Sequence, residues 1–281
     1  MKSYFKVLLF LFSLMFLVSC SSTIQHSNKE FKWPRESFVK YETWIYKKTC
    51  EPTDPDNMKS ECYDKQQGFT GSGSIVATGF DGSYILTAAH LCDKESELNM
   101  LKEMEKFNLP GEAQSSATFF AKHYVYDLDA FKYNLEIVSY DQNLDACVAF
   151  AWGLFKEPLP IAKKKPKVGS KNYNIAAPAG FFYKDLVPLF EGYFVGKLDK
   201  YSYVYTIPAI GGSSGSPIIN ENGELIGLIY ARHNRFHHIT LSPDFKKLRK
   251  FILDSIKQHS KERARIQDLD YRRSIIIKFN N

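Results

Sequence analysis

Residues 211–217 read Gly211-Gly212-Ser213-Ser214-Gly215-Ser216-Pro217 and run on into Ile218-Ile219. Three glycines around one serine allow backbone conformations that a β-carbon forbids. Such a turn can present the Ser214 hydroxyl while aiming the N–H groups of Gly212 and Ser214 into one pocket. The strand that begins at Pro217 would then anchor the turn. Alone, the stretch also reads as a flexible Gly/Ser loop, so its meaning depends on its company.

Two further stretches supply that company. Ile85-Leu86-Thr87-Ala88-Ala89-His90 is an apolar strand ending in small residues and then a histidine, so the ring is held rigidly and left uncrowded. Asp145-Ala146-Cys147-Val148-Ala149-Phe150 is a carboxylate entering an apolar strand, where partial burial calls for a strong donor such as His90. Asp141, four residues upstream in a more polar setting, is the rival. Attack on an amide by a hydroxyl needs an exposed serine, a neutral imidazole, a carboxylate that fixes its tautomer and paired backbone N–H groups. Ser214, His90, Asp145, and Gly212 with Ser214 are the respective candidates. Of the other histidines, His233, His237 and His238 fall in a polar, solvated stretch, and His26, His123 and His259 have no comparable setting.

Outward from these stretches the chain alternates short apolar runs with turn formers. Strands are expected at 74–77, 84–87, 148–150, 173–176, 204–207, 217–219 and 225–229, with turns such as Phe80-Asp81-Gly82-Ser83 and Asn220-Glu221-Asn222-Gly223 between them. That rhythm predicts an all-β barrel or sandwich. A helical excursion is expected near 94–107, where Leu98, Leu101 and Met104 punctuate a charged segment. A second helix is expected from Ser242-Pro243-Asp244, with Ser242 as N-cap and Phe245, Leu248, Ile252 and Ile256 on its buried face. The Ser274–Phe279 stretch reads as a last strand or extended arm. Hydrophobic residues at 44% and aromatics at 15% are enough for a substantial core.

The three motifs together resemble the trypsin/chymotrypsin clan: the order His, Asp, Ser, the Thr87-Ala88-Ala89-His90 segment and the Asp145-Ala-x-Val strand all match. The 211–217 loop is most similar to that of the glutamyl endopeptidase group, which reads GGNSGSP; periplasmic Htr-type proteases are a more distant match. The resemblance covers about residues 68–256. It implies two six-stranded antiparallel β-barrels with the active site in the cleft between them, a His90–Asp145–Ser214 triad and a Gly212/Ser214 oxyanion hole. Ser213 stands where zymogen-activated members carry an aspartate, so activity without a cleavage-generated N-terminus is expected. The glutamyl group has a histidine where this chain has Ile229, and Pro208 and Ala209 would line the pocket without charge. The implied preference is for an uncharged residue before the scissile bond, with Ile229-Tyr230-Ala231-Arg232 as the edge that pairs with extended substrate.

The N-terminus addresses the chain outward. Lys2 and Lys6 flank an apolar run too short to span a bilayer comfortably as a helix. It ends in Leu17-Val18-Ser19-Cys20-Ser21-Ser22, which resembles the lipobox of bacterial lipoproteins. By that resemblance residues 1–19 are a signal peptide, Cys20 is lipidated, and Ser21 favours the outer membrane, facing periplasm or exterior. An ordinary signal peptide with Cys20 incidental is the alternative. Residues 20–37 read as a tether, 38–256 as the peptidase domain and 257–281 as a basic tail.

With Cys20 set aside, Cys50, Cys62, Cys92 and Cys147 remain, which in an oxidising compartment allow three connectivities. Cys50–Cys62 would close a Pro/Asp-rich loop. If His90 and Asp145 touch, Cys92 and Cys147 each lie two residues further on, which favours a bridge between them.

Several functions are disfavoured. Against 31 Asp and Glu, the 37 Lys and Arg make only a mildly basic chain, so no nucleic-acid partner is expected. Eleven of those basic residues fall in 246–281, against four acids, which reads as a solvated helix face or a contact with anionic lipid. No Cys/His spacing suggests zinc and no Gly-rich phosphate loop occurs, so neither metal nor cofactor is expected. The expected partners are a polypeptide substrate and, through the anchor, a membrane. A protease fold that has lost turnover and holds a partner protein in its cleft is the competing reading.

Overall fold

The computed structural model describes residues 31–48, 63–107 and 118–279, with side chains at all of these but 106–107 and 267–279. The leader, Cys20, Cys50 and Cys62 lie outside the described residues. From Lys32 onward the chain forms one unit, built from two β lobes.

The first lobe comprises β1 (Phe38–Lys48), β2 (Tyr63–Thr78), β3 (Gly82–Thr87), β4 (Thr118–Tyr126), β5 (Lys132–Asp141) and β6 (Ala146–Trp152). They close into an antiparallel barrel in the order β1-β2-β3-β6-β5-β4. β1 shows why: Val39, Tyr41, Thr43 and Ile45 are buried while Lys40, Glu42 and Trp44 between them are not, the two-residue period of a strand with one face on a core. β3 is buried along its whole length, and its neighbour β6 is buried up to Trp152.

The second lobe comprises β7 (Lys171–Ile175), β8 (Leu189–Lys197), β9 (Ser202–Tyr205), β10 (Pro217–Asn220), β11 (Leu225–Leu228), β12 (Ala231–Arg232) and β13 (Thr240–Pro243). The sheet order is β11-β10-β7-β8-β9-β13-β12. Its two edge strands, β11 and β12, are consecutive in the chain and separated only by Ile229 and Tyr230. The Leu228 N–H already reaches Ser242 Oγ at 3.2 Å, and the Tyr230 N–H reaches Leu241 O at 3.1 Å. The second lobe is thus a seven-stranded sheet whose two edge strands are joined by a two-residue bend, where a second six-stranded barrel was expected. Its core gathers Phe194, Tyr205, Ile207, Ile218, Ile226 and Ile229.

Among the described residues three α-helices complete the fold: α1 (Ala89–Cys92), α2 (Glu95–Phe107) and α3 (Phe245–Phe279). α2 is the expected excursion. The start of α3 differs from the sequence reading. Ser242 belongs to β13, where it pairs with Tyr203, and Asp244 is the cap, its Oδ1 accepting the N–H groups of Lys246 and Lys247 at 3.1 and 3.3 Å. α3 also runs unbroken past position 257, and residues 274–279 are helix, not strand. The helix spans both lobes. Phe245, Leu248 and Ile252 are buried, whereas His259 Nδ1 lies 3.2 Å from Tyr84 OH of β3. Arg263 stacks over Phe150 and Trp152 of β6 at 4.5 and 4.2 Å and pairs with Asp81.

The stretch read as a tether ends as part of the body. Trp33 packs edge-on against Tyr173 at 5.0 Å, residues 35–37 form a turn of 3-10 helix, and buried Ser37 donates to Glu157 O at 2.7 Å.

Candidate active site

The register between β3 and β6 sets Thr87 opposite Cys147. The strands are antiparallel, so the chain leaving β3 and the chain entering β6 lie side by side. Three residues beyond Thr87 is His90, and two before Cys147 is Asp145. The small buried Ala88 and Ala89 let the chain turn immediately into α1, which carries His90 back over the entrance of β6.

There Asp145 meets His90 three times. The His90 backbone N–H donates to Asp145 Oδ1 at 2.9 Å. His90 Nδ1 lies 2.8 Å from Oδ2 and 3.0 Å from Oδ1. With its proton on Nδ1 and facing the carboxylate, the ring keeps Nε2 as an acceptor. The His90 side chain is 45% exposed and that of Asp145 24%, so the pair is open to solvent. The rival Asp141 does something else: its Oδ1 accepts the N–H groups of Asn143 and Leu144 at 2.9 and 3.1 Å, capping the turn that delivers Asp145.

The bridge between Cys92 and Cys147 is present, with Cα atoms 6.5 Å apart. It ties α1 to β6 two residues beyond each member of the His–Asp pair. Beneath it, Lys94 is 4% exposed and donates from Nζ to the His90 carbonyl at 2.6 Å and to Glu97 at 3.0 Å, with Phe69 under the ammonium at 3.9 Å. Half-buried His123 holds the same corner through Tyr41 OH at 2.8 Å and Thr43 Oγ1 at 2.9 Å. Burial, assisted by the Lys94 charge, pushes its pKa down to about 4, so it is a neutral structural histidine. His233, His237 and His238 are exposed, as expected.

The 211–217 stretch forms a tight turn packed on the first lobe. Gly215 has φ +82°, and a Cβ there would collide with Ser72 O and Thr87 Oγ1; only glycine allows this approach. Gly212 has φ +91°, and a Cβ on it would strike the carbonyl of Ala177. The Gly215 N–H donates to Ile229 O at 2.7 Å, and the Ile229 N–H donates to Ser216 O at 3.0 Å.

The carbonyls of this turn decide where its N–H groups point. Gly211 O accepts the Ala179 N–H at 2.6 Å, and Ser213 O accepts the Ser216 N–H at 3.1 Å. In a trans peptide, C=O and N–H face opposite ways. The N–H groups of Gly212 and Ser214 are thus turned away from those partners, and among the described residues neither meets an acceptor. Ser214 is half-buried, and its Oγ makes no hydrogen bond to His90 among the described residues. The structure therefore joins His90 to Asp145 directly and sets the Ser214 turn beside them.

The residues expected to line the specificity pocket divide. Ala209 and Ile229 are 5% and 2% exposed and belong to the second-lobe core. Ile229 therefore serves the site through its backbone, not as the pocket wall read from the sequence. Pro208, Tyr230 and Ala231 are half-buried. Among the described residues β12 pairs with β13 on one side only, which leaves an edge for an extended ligand. Ser72, which the sequence did not single out, makes two hydrogen bonds to the turn, at Ser214 O and Gly212 O, and two more to Ala177 and Thr87 beside it. Its only sequence signal is a place between Gly71 and Gly73.

Comparison with known proteins agrees with this architecture. The family model described as a trypsin-like peptidase domain matches residues 71–228. No curated protein sequence matches the chain. Among solved structures, a serine endoprotease from Yersinia pestis superposes with a TM-score of 0.53 at 16% identity, covering 80% of this chain and 64% of that one. The chain thus spans under two thirds of that relative. The Rv3671c protease of M. tuberculosis in its active form superposes with a TM-score of 0.50 at 17% identity, covering 75% of this chain and 77% of that one. At these identities the likeness is one of fold.

Proposed function

The chain belongs to the trypsin-like peptidase domain family, and from that premise we propose that it is a serine endopeptidase in which Ser214 is the nucleophile, His90 the base and Asp145 the orienting acid. One observation carries the reading: a His90–Asp145 pair set beside a serine turn whose two N–H groups meet no acceptor among the described residues. In this reading His90 Nε2 takes the Ser214 proton as Oγ attacks the scissile carbonyl. The Gly212 and Ser214 N–H groups receive the negative oxygen of the tetrahedral intermediate. His90 then protonates the departing amine, and water releases the acyl group by the reverse path. Asp145 holds the tautomer that makes Nε2 basic.

The missing Ser214–His90 hydrogen bond is the observation that favours the second reading, a protease fold that binds a partner without turnover. Such bonds are frequently long without substrate and tighten on binding, so it weighs less than the intact constellation. Hydrolysis of an unfolded protein such as reduced casein decides. The proposal expects cleavage that Ser214→Ala abolishes; equal slow cleavage by both proteins would mean a contaminant and a silent site.

The uncharged, half-buried Pro208 supports a preference for an uncharged residue before the scissile bond, with β12 pairing to the substrate strand. A peptide-library profile dominated there by acidic or basic residues would refute it.

We further propose that the enzyme is exported and anchored through a lipid on Cys20, with the outer membrane favoured. The Cys92–Cys147 disulfide supports export, since such bridges persist in oxidising compartments. Incorporation of an alkyne fatty acid, lost in Cys20→Ser, is the expected result; incorporation that survives the substitution would contradict it.

A further inference from the structure

Ser72 is a residue of the first lobe whose N–H and hydroxyl are both spent on the second lobe. It lies in β2 and is 0% exposed. Its N–H donates to Ser214 O at 2.8 Å. Its hydroxyl donates to Gly212 O at 2.8 Å and accepts the Ala177 N–H at 2.9 Å. Its carbonyl accepts the Thr87 hydroxyl at 2.8 Å, three residues before His90. One serine thus contacts the strand that carries His90, the turn that carries Ser214 and the 177–180 segment that carries Ala179.

These contacts have a directional consequence. The Ala179 N–H is the donor that fixes the Gly211 carbonyl and so turns the Gly212 N–H outward. Ala179 itself sits in the left-handed region, at φ 51°, a conformation that persists only where surroundings over-determine it. The Ser72 hydroxyl supplies part of that determination, tying Ala177 to Gly212 from below. Without it, a buried carbonyl and a buried N–H lose their partner together, and the 177–180 segment and the 211–215 turn are free to separate.

We propose that Ser72 is the positioning residue that sets the Ser214 nucleophile and its two N–H donors relative to His90. The proposal rests on the reading of Ser214 as nucleophile. It concerns geometry: a displacement of about 1 Å at reacting groups costs on the order of a hundredfold in rate. A hydroxyl that bridges two lobes at the foot of the turn controls displacements of that size.

The test follows the reaction of the full-length protein with a fluorophosphonate probe, reading separately the rate constant and the final fraction labelled. Wild type is compared with Ser72→Ala and with Ser83→Ala. Ser83 is a control of the same chemistry, since its buried hydroxyl donates to Leu154 O at 2.7 Å on the side of the barrel remote from the turn. The proposal expects Ser72→Ala to react on the order of ten- to a hundredfold more slowly at an undiminished final fraction, with the pH midpoint of the rate unmoved. Ser83→Ala should react at the wild-type rate. A folding defect would instead lower the labelled fraction and leave the rate of the remainder unchanged, and that outcome overturns the proposal. So does a Ser72→Ala rate equal to wild type, which leaves the nucleophile reading standing. Absence of labelling in wild type removes both.

Discussion

Asp145 holds His90 by the main chain as well as by the ring: one carboxylate oxygen takes the His90 backbone N–H at 2.9 Å while the carboxylate takes Nδ1 at 2.8 Å. The double grip fixes both the position of α1 and the tautomer of the imidazole. To deliver it, Asp145 adopts φ 46°, a region where non-glycine residues are uncommon and which aspartate tolerates better than most. The strain is held by the Asp141-capped turn on one side and by β6 on the other.

Asp145→Asn keeps the shape and removes the charge. Its amide would present a donor to His90 Nδ1 and favour the tautomer with the proton on Nε2. Turnover should fall by on the order of 10³–10⁴-fold with little change in thermal midpoint. Asp141→Ala, which removes only a turn cap, should cost about 1 kcal/mol of stability and far less activity. Steady-state hydrolysis and thermal denaturation of the two variants separate these roles.

Removing the Cys92–Cys147 bridge should act on both stability and rate. The bridge closes a separation of 55 residues, for which the loss is about 2–4 kcal/mol. Since it ties α1 to β6, the double Cys→Ser variant should also hydrolyse more slowly well below its unfolding temperature. Denaturant titration paired with activity at 20 °C measures the two effects.

His123 makes folding pH-dependent. Burial holds its pKa near 4 in the folded chain, against about 6.5 unfolded, so between those values the unfolded chain binds the extra proton. The stabilisation is complete above about pH 6.5 and is lost as pH falls toward 4. In His123→Gln the drop in unfolding midpoint over this window should be shallower than in wild type, by urea denaturation at fixed pH steps.

The sandwich of Arg263 between Phe150, Trp152 and Asp81 docks the far end of α3 on the first lobe. Arg263→Ala should destabilise by about 1–2 kcal/mol. Arg263→Lys should recover only part of that, because an ammonium lacks the planar face that stacks. Hydrogen exchange in residues 255–266 should rise in both variants.

The stretches around His90, Asp145 and Ser214 were legible because their chemistry is written locally, in small residues before the histidine, an acid before an apolar strand and glycines around a serine. The Cys92–Cys147 pairing was expected too, but through incomplete geometry. Two straight antiparallel strands would carry those cysteines apart, and it is the single turn of α1 that folds Cys92 back. What stayed hidden depends on distant partners. Ser242 reads as a helix cap until β13 claims its backbone and the Leu228 N–H claims its hydroxyl. Ile229 reads as a pocket wall until the second-lobe core encloses it. β4, β5 and β8 do not announce themselves, because charged residues on their outer faces dilute the apolar alternation. Ser72 is an ordinary serine until the lobes meet.

The central claim is that Ser214 is an activated nucleophile. Labelling of the full-length protein with a fluorophosphonate, followed by mass spectrometry of its peptides, tests it most directly. One phosphonyl adduct is expected, on Ser214, absent in Ser214→Ala and in heat-unfolded protein. No adduct on natively folded protein, or an adduct elsewhere that survives Ser214→Ala, would contradict it.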